Sequence, residues 1–283
     1  MKGLAQFVMR GRWQASGAAA LASALPIVGW LGTAIVALVV LRQGLKDGLL
    51  VLLWAVLPLV LIYQTGGDVS GLAAVAGVFL LAMVLRLTTS WELTLLAAVG
   101  VAAAGSWAFA ILSAPILAAF LQWYVETLSA LATDAGVAGV TLEEGRRQTI
   151  SYLAMGQGYT MVLAVVLARW WQSVLFNPGG FKQEIQNVRL TPRVSVPLLV
   201  AMVLCSMTPG YGSWVGLLAM PFVIAGTGLA HWRLAQKSAQ SQWYIAYYMS
   251  VLLLFQWVSM ALVAVVLADG LLDLRQRMKS RED

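Results

Sequence analysis

Long apolar runs alternate with short polar breaks along almost the whole chain. A helix needs about 20 residues to cross the apolar core of a bilayer, and Trp91–Leu112 is one of several runs that reach this length. The breaks carry turn-forming residues, such as Gly66-Gly67-Asp68. The apolar blocks are 16–41, 48–63, 71–85, 91–112, 149–168, 195–207, 213–230 and 243–268. The pattern predicts an all-α, polytopic transmembrane bundle that forms a single integral membrane domain over residues 1–283.

Basic residues indicate how often the chain crosses, because Lys and Arg concentrate in cytoplasmic loops. If each block crosses once from a cytoplasmic N-terminus, the 18 basic residues divide equally between the two sides. If the first and last blocks each turn back, only Arg146 and Arg147 lie outside, and 16 of 18 lie inside. Pro26 and two glycines interrupt the first block, so we predict that it is broken. The last block contains Gln256 and Ser259 near its middle. Whether this block is also broken stays open.

The segment 113–148 is less hydrophobic than the blocks on either side. Its first half has helical spacing, with Gln122 and Glu126 among apolar residues, and Thr141 precedes Glu144 by three residues, as in a capping box. We predict a helical hairpin that projects from the outer face of the membrane or lies on it. A solvated helix end would explain the same pattern without a function.

Composition excludes several classes of function. The chain is 60% hydrophobic and 11% charged, whereas a soluble domain has roughly 25% charged residues. Cytoplasmic loops account for the net charge of +6, so we expect no nucleic-acid partner. Cys205 and His231 are each the only residue of their kind, which leaves no intrachain disulfide and little basis for a metal site. The sequence contains no nucleotide-binding or hydrolase motif, so we expect neither enzymatic activity nor a cofactor.

Uncharged polar residues within one apolar block suggest a ligand site. Tyr152, Gln157 and Tyr159 fall in a single predicted helix. No charge lies at the centre of any block, which argues against a proton relay. We therefore predict a ligand cavity near these three residues and Trp107. The alternative is a hydrogen bond from Gln157 to a neighbouring helix, which is worth about 0.6 to 2 kcal/mol.

Residues 169–194 form a dense polar and aromatic segment between apolar blocks. Arg169 ends a predicted span and faces lipid phosphates, with Trp170 and Trp171 at the level of the headgroups. The glycines after Pro178 predict a tight turn, and a short amphipathic helix follows on the cytoplasmic surface. Three roles fit this connector: a brace between two spans, a docking surface for a partner, or a contact with anionic lipid. The candidate contact residues are Arg169, Trp170, Trp171, Asn177, Pro178, Gly179, Gly180, Phe181, Lys182 and Arg189.

The motif RWWQSVLFNPGGFKQEIQNVRL resembles the hallmark of the YybS-like family of bacterial inner-membrane proteins. Weaker similarity extends to ALASALPIVGWLG near the start and to the ending ADGLLDLRQRMKSRED. Together with the distribution of basic residues, the resemblance implies a multi-pass protein of the bacterial inner membrane with a cytoplasmic N-terminus. It supplies no catalytic residues.

This family is in turn distantly similar to the substrate-binding subunits of energy-coupling-factor transporters. Those subunits bind a small ligand near the outer face, and they dock on a separate coupling protein through small residues of the first helix. In this chain Ala15, Ala19 and Ala22 lie at the corresponding place. The resemblance therefore implies a coupling protein as a partner.

The sequence leaves two hypotheses for function. The first is an integral membrane protein that binds a small solute or a lipid, as a candidate component of a transport system. The second is a structural or scaffolding membrane protein that acts as a homo-oligomer or as a platform for partners. Membrane lipids surround the chain in both cases.

Overall fold

A computed structural model of the chain describes residues 2–25, 27–134 and 139–279. This part of the chain is all-α, which confirms the predicted fold class. A short 3-10 turn, Gly212–Trp214, precedes α11. The helices are α1 (Lys2–Val8), α2 (Arg12–Ser23), α3 (Gly29–Gln43), α4 (Leu45–Gly66), α5 (Ser70–Thr88), α6 (Trp91–Leu112), α7 (Ala114–Asp134), α8 (Leu142–Phe176), α9 (Gly180–Gln186), α10 (Pro192–Met207), α11 (Val215–Gln236), α12 (Ser241–Leu253), α13 (Phe255–Leu272) and α14 (Leu274–Lys279).

Several of these helices have the length and composition of membrane spans. Seven are long and apolar enough to cross: α4, α5, α6, α7, α8, α11 with its preceding 3-10 turn, and α13. Helices α3 and α10 are apolar but shorter. Helix α8 has 35 residues, which is about 52 Å of helix and exceeds the apolar core of about 30 Å. The chain is therefore a multi-pass membrane protein.

Helix α3 lies at the centre of the bundle. Each residue from Gly32 to Leu41 is buried, and the helix contacts α2, α4, α5 and α8. A helix that is apolar on all sides is suited to this position. Because lipid tails are as apolar as leucine, membrane helices associate through close packing. Gly48 of α4 provides such an approach, since its backbone lies directly against Val40 of α3.

The first apolar block is broken, as predicted. Arg12 at the start of α2 pairs with Asp47 in the first turn of α4 (3.4 Å), and α3 ends just before α4 begins. Both termini of the α2–α3 pair therefore lie at the same end of the bundle. The arms have 12 and 15 residues, or about 18 and 22 Å, so the pair enters the bundle and turns back. Pro26 itself lies outside the described residues.

The last apolar block is also broken, at Leu254. Helix α12 runs back along α11, and its Tyr248 hydroxyl lies 2.8 Å from Nε2 of His231. At the tip, the ring of Phe255 contacts Tyr159 near the middle of α8 (5.9 Å between centroids). The last turn of α13 contacts the α9–α10 loop, and α9 in turn contacts the end of α11. The α12–α13 pair therefore also enters and leaves at one end.

The two ends of the bundle differ in charge. We call the end that holds the start of α4, the end of α8 and helix α9 the basic end, and the opposite end, with α7, the hairpin end. The described ranges contain 17 Lys and Arg residues, of which Arg146 and Arg147 lie at the hairpin end. The other 15 lie before α2 or in segments that meet at the basic end. This division matches the topology in which the first and last blocks both turn back.

Helix α7 runs antiparallel to the first turns of α8 at the hairpin end. The hydroxyl of Tyr124 donates to Oε1 of Gln148 (2.9 Å), and Thr141 caps α8 in a reciprocal capping box with Glu144. Among the seven helices that could span, α7 has the lowest hydropathy, 1.2, and the smallest buried share, 11%. Because little of α7 is buried, cavities remain between this helix and its neighbours on two sides.

Candidate functional site

A groove lies between α6, α7 and the start of α8. Its volume is about 600 Å³, within the range of roughly 300–1,000 Å³ that is typical of small-molecule sites. Apolar side chains of α6 and α7 form most of the wall, and three polar side chains complete it. We call it the α7 groove, and its lining residues are Ala110, Ala114, Leu117, Ala118, Leu121, Gln122, Val125, Glu126, Leu142 and Arg146.

The polar groups of the α7 groove differ in their partners. Nε2 of Gln122 donates to Oε1 of Glu126, one helical turn away (3.2 Å). Arg146 is exposed and forms no ion pair within the described ranges. The groove thus combines an apolar wall with an unpaired guanidinium and a carboxylate. This combination suits an amphiphile, whose apolar chain and polar headgroup need different surroundings.

A second cavity, of about 340 Å³, lies on the other side of α7. Tyr152, one of the predicted ligand residues, lines it together with Thr149 and apolar side chains. Thr149 is buried, and its hydroxyl has no hydrogen-bond partner in the described part of the chain. Leu117 lines this cavity and also the α7 groove. Helix α7 therefore separates two cavities, each large enough to hold a small ligand.

The other predicted ligand residues contact different elements. Gln157 lies against Gly105 of α6, Tyr159 faces the tip of the α12–α13 pair, and Trp107 is 50% exposed. The structure therefore does not bring them together with Tyr152 around one cavity. The predicted hydrogen bond from Gln157 to a neighbouring helix is also not found among the described residues, where both amide atoms lack a partner.

At the basic end, α9 turns an acidic side chain towards α8. Glu184 accepts from Nε of Arg169 (2.9 Å to each oxygen) and pairs with its Nη2 (2.8 Å). Nε1 of Trp91 also donates to Glu184 (2.7 Å). The sequence placed Arg169 against lipid phosphates, but the structure pairs it within the chain. The reason is the turn at Gly179, whose left-handed φ of 88° brings α9 back over the end of α8.

The loop after α9 is held by the C-terminal helices. Arg275 donates to the carbonyls of Gln186 (2.5 Å) and Val188 (2.8 Å). Asp269, only 2% exposed, lies between Arg189 (3.5 Å) and Arg275 (3.1 Å). Burial lowers the pKa of Arg275, and the charge of Asp269 opposes this shift. Arg189 is thus part of an internal ion-pair network, which supports the role of the connector as a brace.

The remaining connector residues differ in exposure. Trp171 is fully buried, which corrects the sequence-based placement of its side chain at the headgroups. Helix α8 continues to Phe176, and Trp171 lies one turn after buried Ala168, on the side that faces the core. Trp170, Gly180 and Phe181 are partly buried. The residues that stay exposed and available to lipid or a partner are Asn177, Pro178, Gly179 and Lys182.

The small residues of the first block pack within the chain. Ala15 and Ala19 are 1% and 0% exposed, and α2 contacts α3 and α4. Ala22 is partly buried and packs on the same core. The resemblance implied that these residues dock on a separate coupling protein. Ala15 and Ala19 are not accessible for such docking, because they are buried within the chain. Their small size instead lets α2 approach its neighbours closely.

Sequence reasoning did not identify the α7 groove as a site. It assigned Gln122 and Glu126 to a helical hairpin or a solvated helix end, and Arg146 to the outer side of the membrane. No spacing in the sequence shows that the start of α8 brings Arg146 beside α7. Within the described ranges, no cluster of three His, Cys, Asp or Glu residues could hold a metal ion.

Comparison of the chain with protein-family models, curated proteins and solved structures found no match.

Proposed function

We propose that this membrane protein binds a lipid or another amphiphilic small solute in the α7 groove. The observation that carries the proposal is the cavity of about 600 Å³, in which Arg146, without an ion pair in the described part of the chain, lies beside an apolar wall. The apolar chain of the ligand would lie along Leu117 and Ala118. Its headgroup would bond to Arg146, Gln122 and Glu126. A membrane protein that binds such a ligand would act as the substrate-binding component of a transport system.

A proposed orientation follows from the charge distribution. Lys and Arg concentrate on the cytoplasmic side of membrane proteins, and 15 of the 17 described basic residues belong to the basic end. We therefore propose that the basic end and the N-terminus are cytoplasmic, and that the α7 groove opens near the outer face. The proposed kinship with YybS-like proteins of the bacterial inner membrane rests on the motif from Arg169 to Leu190 and points to no catalytic group.

The scaffolding alternative has less support. The connector that suggested a docking surface uses most of its polar groups in contacts within the chain, through Glu184 and Arg189. The small residues of α2 are likewise occupied by the chain's own helices. We therefore rank binding of an amphiphile above a platform for partners.

Native mass spectrometry of the protein extracted gently from its own membrane tests the proposal. The wild-type protein should retain a lipid or small amphiphile of defined mass. Ala118→Trp places a large side chain in the α7 groove and should remove most of the bound ligand. Ala119→Trp is the matched control, because this adjacent exposed residue lines neither cavity and its variant should keep the ligand.

A second variant tests the charged side chain of the α7 groove. Arg146→Gln removes the unpaired guanidinium and should lower ligand occupancy several-fold, since hydrogen bonds to charged groups are the stronger ones. Equal occupancy in the wild type, Ala118→Trp and Arg146→Gln would contradict binding in this groove.

A further inference from the structure

A polar cavity of about 520 Å³ opens at the basic end, far from the α7 groove. The ends of α3, α5 and α8 and one side of α9 enclose it. Two apolar residues, Leu41 and Leu85, form the part that faces the core of the bundle, and both are buried. The polar part of the wall consists of Arg86, Thr89, Arg169, Gln172 and Glu184.

The cavity carries an excess of positive charge. Two guanidiniums line it against one carboxylate. Arg169 is occupied by Glu184 and by Gln172, which accepts from its Nη1 (2.6 Å). Arg86 donates through Nη1 to the carbonyls of Val40 (3.2 Å) and Leu41 (2.6 Å) at the end of α3.

The other edge of Arg86 is available for a ligand. Its Nε and Nη2 form no hydrogen bond within the described ranges, although Nη1 anchors the guanidinium firmly in place. Gly44 leaves room beside this guanidinium, because a Cβ atom at this position would lie 3.2 Å from Nη2 of Arg86. A planar Nε–Nη2 edge with two parallel donors matches the geometry of a phosphate group.

We propose that the basic-end cavity binds a phosphate group, with Arg86 as the main donor and Thr89 and Gln172 as neutral partners. The cavity lies at helix ends, and Arg86 is exposed. We therefore expect the cavity to lie at the depth of lipid headgroups, where anionic lipid attracts basic residues. The phosphate belongs either to a phospholipid or to a soluble phosphate compound. Glu184 restrains the affinity, because its charge holds Arg169 and repels an anion.

A titration of the full-length protein in uncharged detergent identifies the source of the phosphate. Native mass spectrometry follows binding of short-chain phosphatidic acid, with diacylglycerol of the same chain length as the control without phosphate. We expect phosphatidic acid to bind at least about tenfold more tightly. Inorganic phosphate at millimolar concentration should leave a bound phospholipid in place, whereas displacement would indicate a soluble phosphate ligand. Equal binding of the two lipids, with no binding of inorganic phosphate, would overturn the proposal.

Three variants separate this cavity from general electrostatics and from the α7 groove. Arg86→Gln should weaken phosphatidic acid binding about tenfold or more, as expected for loss of charged hydrogen bonds. Arg42→Gln removes the same charge at the same end, but Arg42 stacks on Phe176 (4.0 Å) outside the cavity, so binding should change less than about twofold. Equal losses in both variants would overturn the proposal.

Glu184→Gln gives a result that misfolding cannot imitate. The amide keeps an oxygen that can accept from Trp91, while loss of the carboxylate releases Arg169 for the ligand. We expect tighter binding of phosphatidic acid in this variant, by several-fold. Unchanged or weaker binding would show that the cavity does not hold an anion.

Discussion

Gln157 is the residue whose polar groups are least satisfied in the described part of the membrane interior. Both its amide nitrogen and its amide oxygen are buried without a hydrogen-bond partner. The oxygen lies against α6 at Gly105, where a Cβ atom would come within 2.6 Å of it, so only glycine leaves it room. An unpaired buried polar group costs about 1–3 kcal/mol. Among the described residues, the Tyr159 hydroxyl is a further buried polar group without a hydrogen-bond partner, on another side of the same helix.

Gln157→Met tests whether this amide has a partner outside the chain. Methionine keeps the unbranched shape and removes both polar atoms. We expect the midpoint of thermal unfolding in detergent, followed by tryptophan fluorescence, to stay the same or rise. Gln172→Met is the matched control and should lower the midpoint, because Gln172 accepts a hydrogen bond from Arg169. A fall for Gln157→Met as large as the control's would mean that water or a ligand binds the amide.

At the scale of elements, the α2–α3 pair depends on one close approach between its arms. A Cβ atom at Gly32 would meet the Ser23 hydroxyl and lie 3.1 Å from the carbonyl oxygen of Ala19. The arms are too short to cross the bilayer, so their polar ends must be covered by protein. Close packing between the arms and against α4 provides that cover.

Gly32→Val should therefore destabilise the protein. The added side chain would push α2 away from α3, and overpacking of this kind typically costs about 1–3 kcal/mol. Gly29→Val is the matched control in the same helix, since no atom lies within 4 Å of a Cβ atom there. Thermal unfolding in detergent should show a clearly lower midpoint for Gly32→Val than for Gly29→Val. Equal midpoints would mean that the arms tolerate separation.

At the scale of the whole molecule, both re-entrant pairs open at the basic end. This arrangement gathers 15 of 17 described basic residues at one end, together with the phosphate-binding cavity that we propose. The α7 groove lies at the opposite end. A bundle whose eight blocks each crossed once would instead place the connector and the N-terminus on opposite sides.

Labelling of single cysteines from each side of intact membrane vesicles tests this topology. On a Cys205→Ser background, Gly3→Cys, Lys182→Cys and Glu143→Cys each place one thiol at an exposed position. We expect an impermeant reagent to reach Gly3→Cys and Lys182→Cys from one side and Glu143→Cys from the other. Labelling of Gly3→Cys and Glu143→Cys from the same side would contradict the two re-entrant pairs.

The linear order of residues determined the class of the protein, the helices and the break in the first block. Apolar length and the positions of Lys and Arg are properties of the sequence itself, and they limit how a chain can cross a bilayer. Only the tertiary structure decided that Trp171 and Ala19 are buried, that Arg169 pairs with Glu184, and that Arg146 lines the α7 groove. In helices that are apolar on most sides, the sequence contains little periodic signal for which side faces protein. Packing between helices sets that rotation, and with it the partners of each polar side chain.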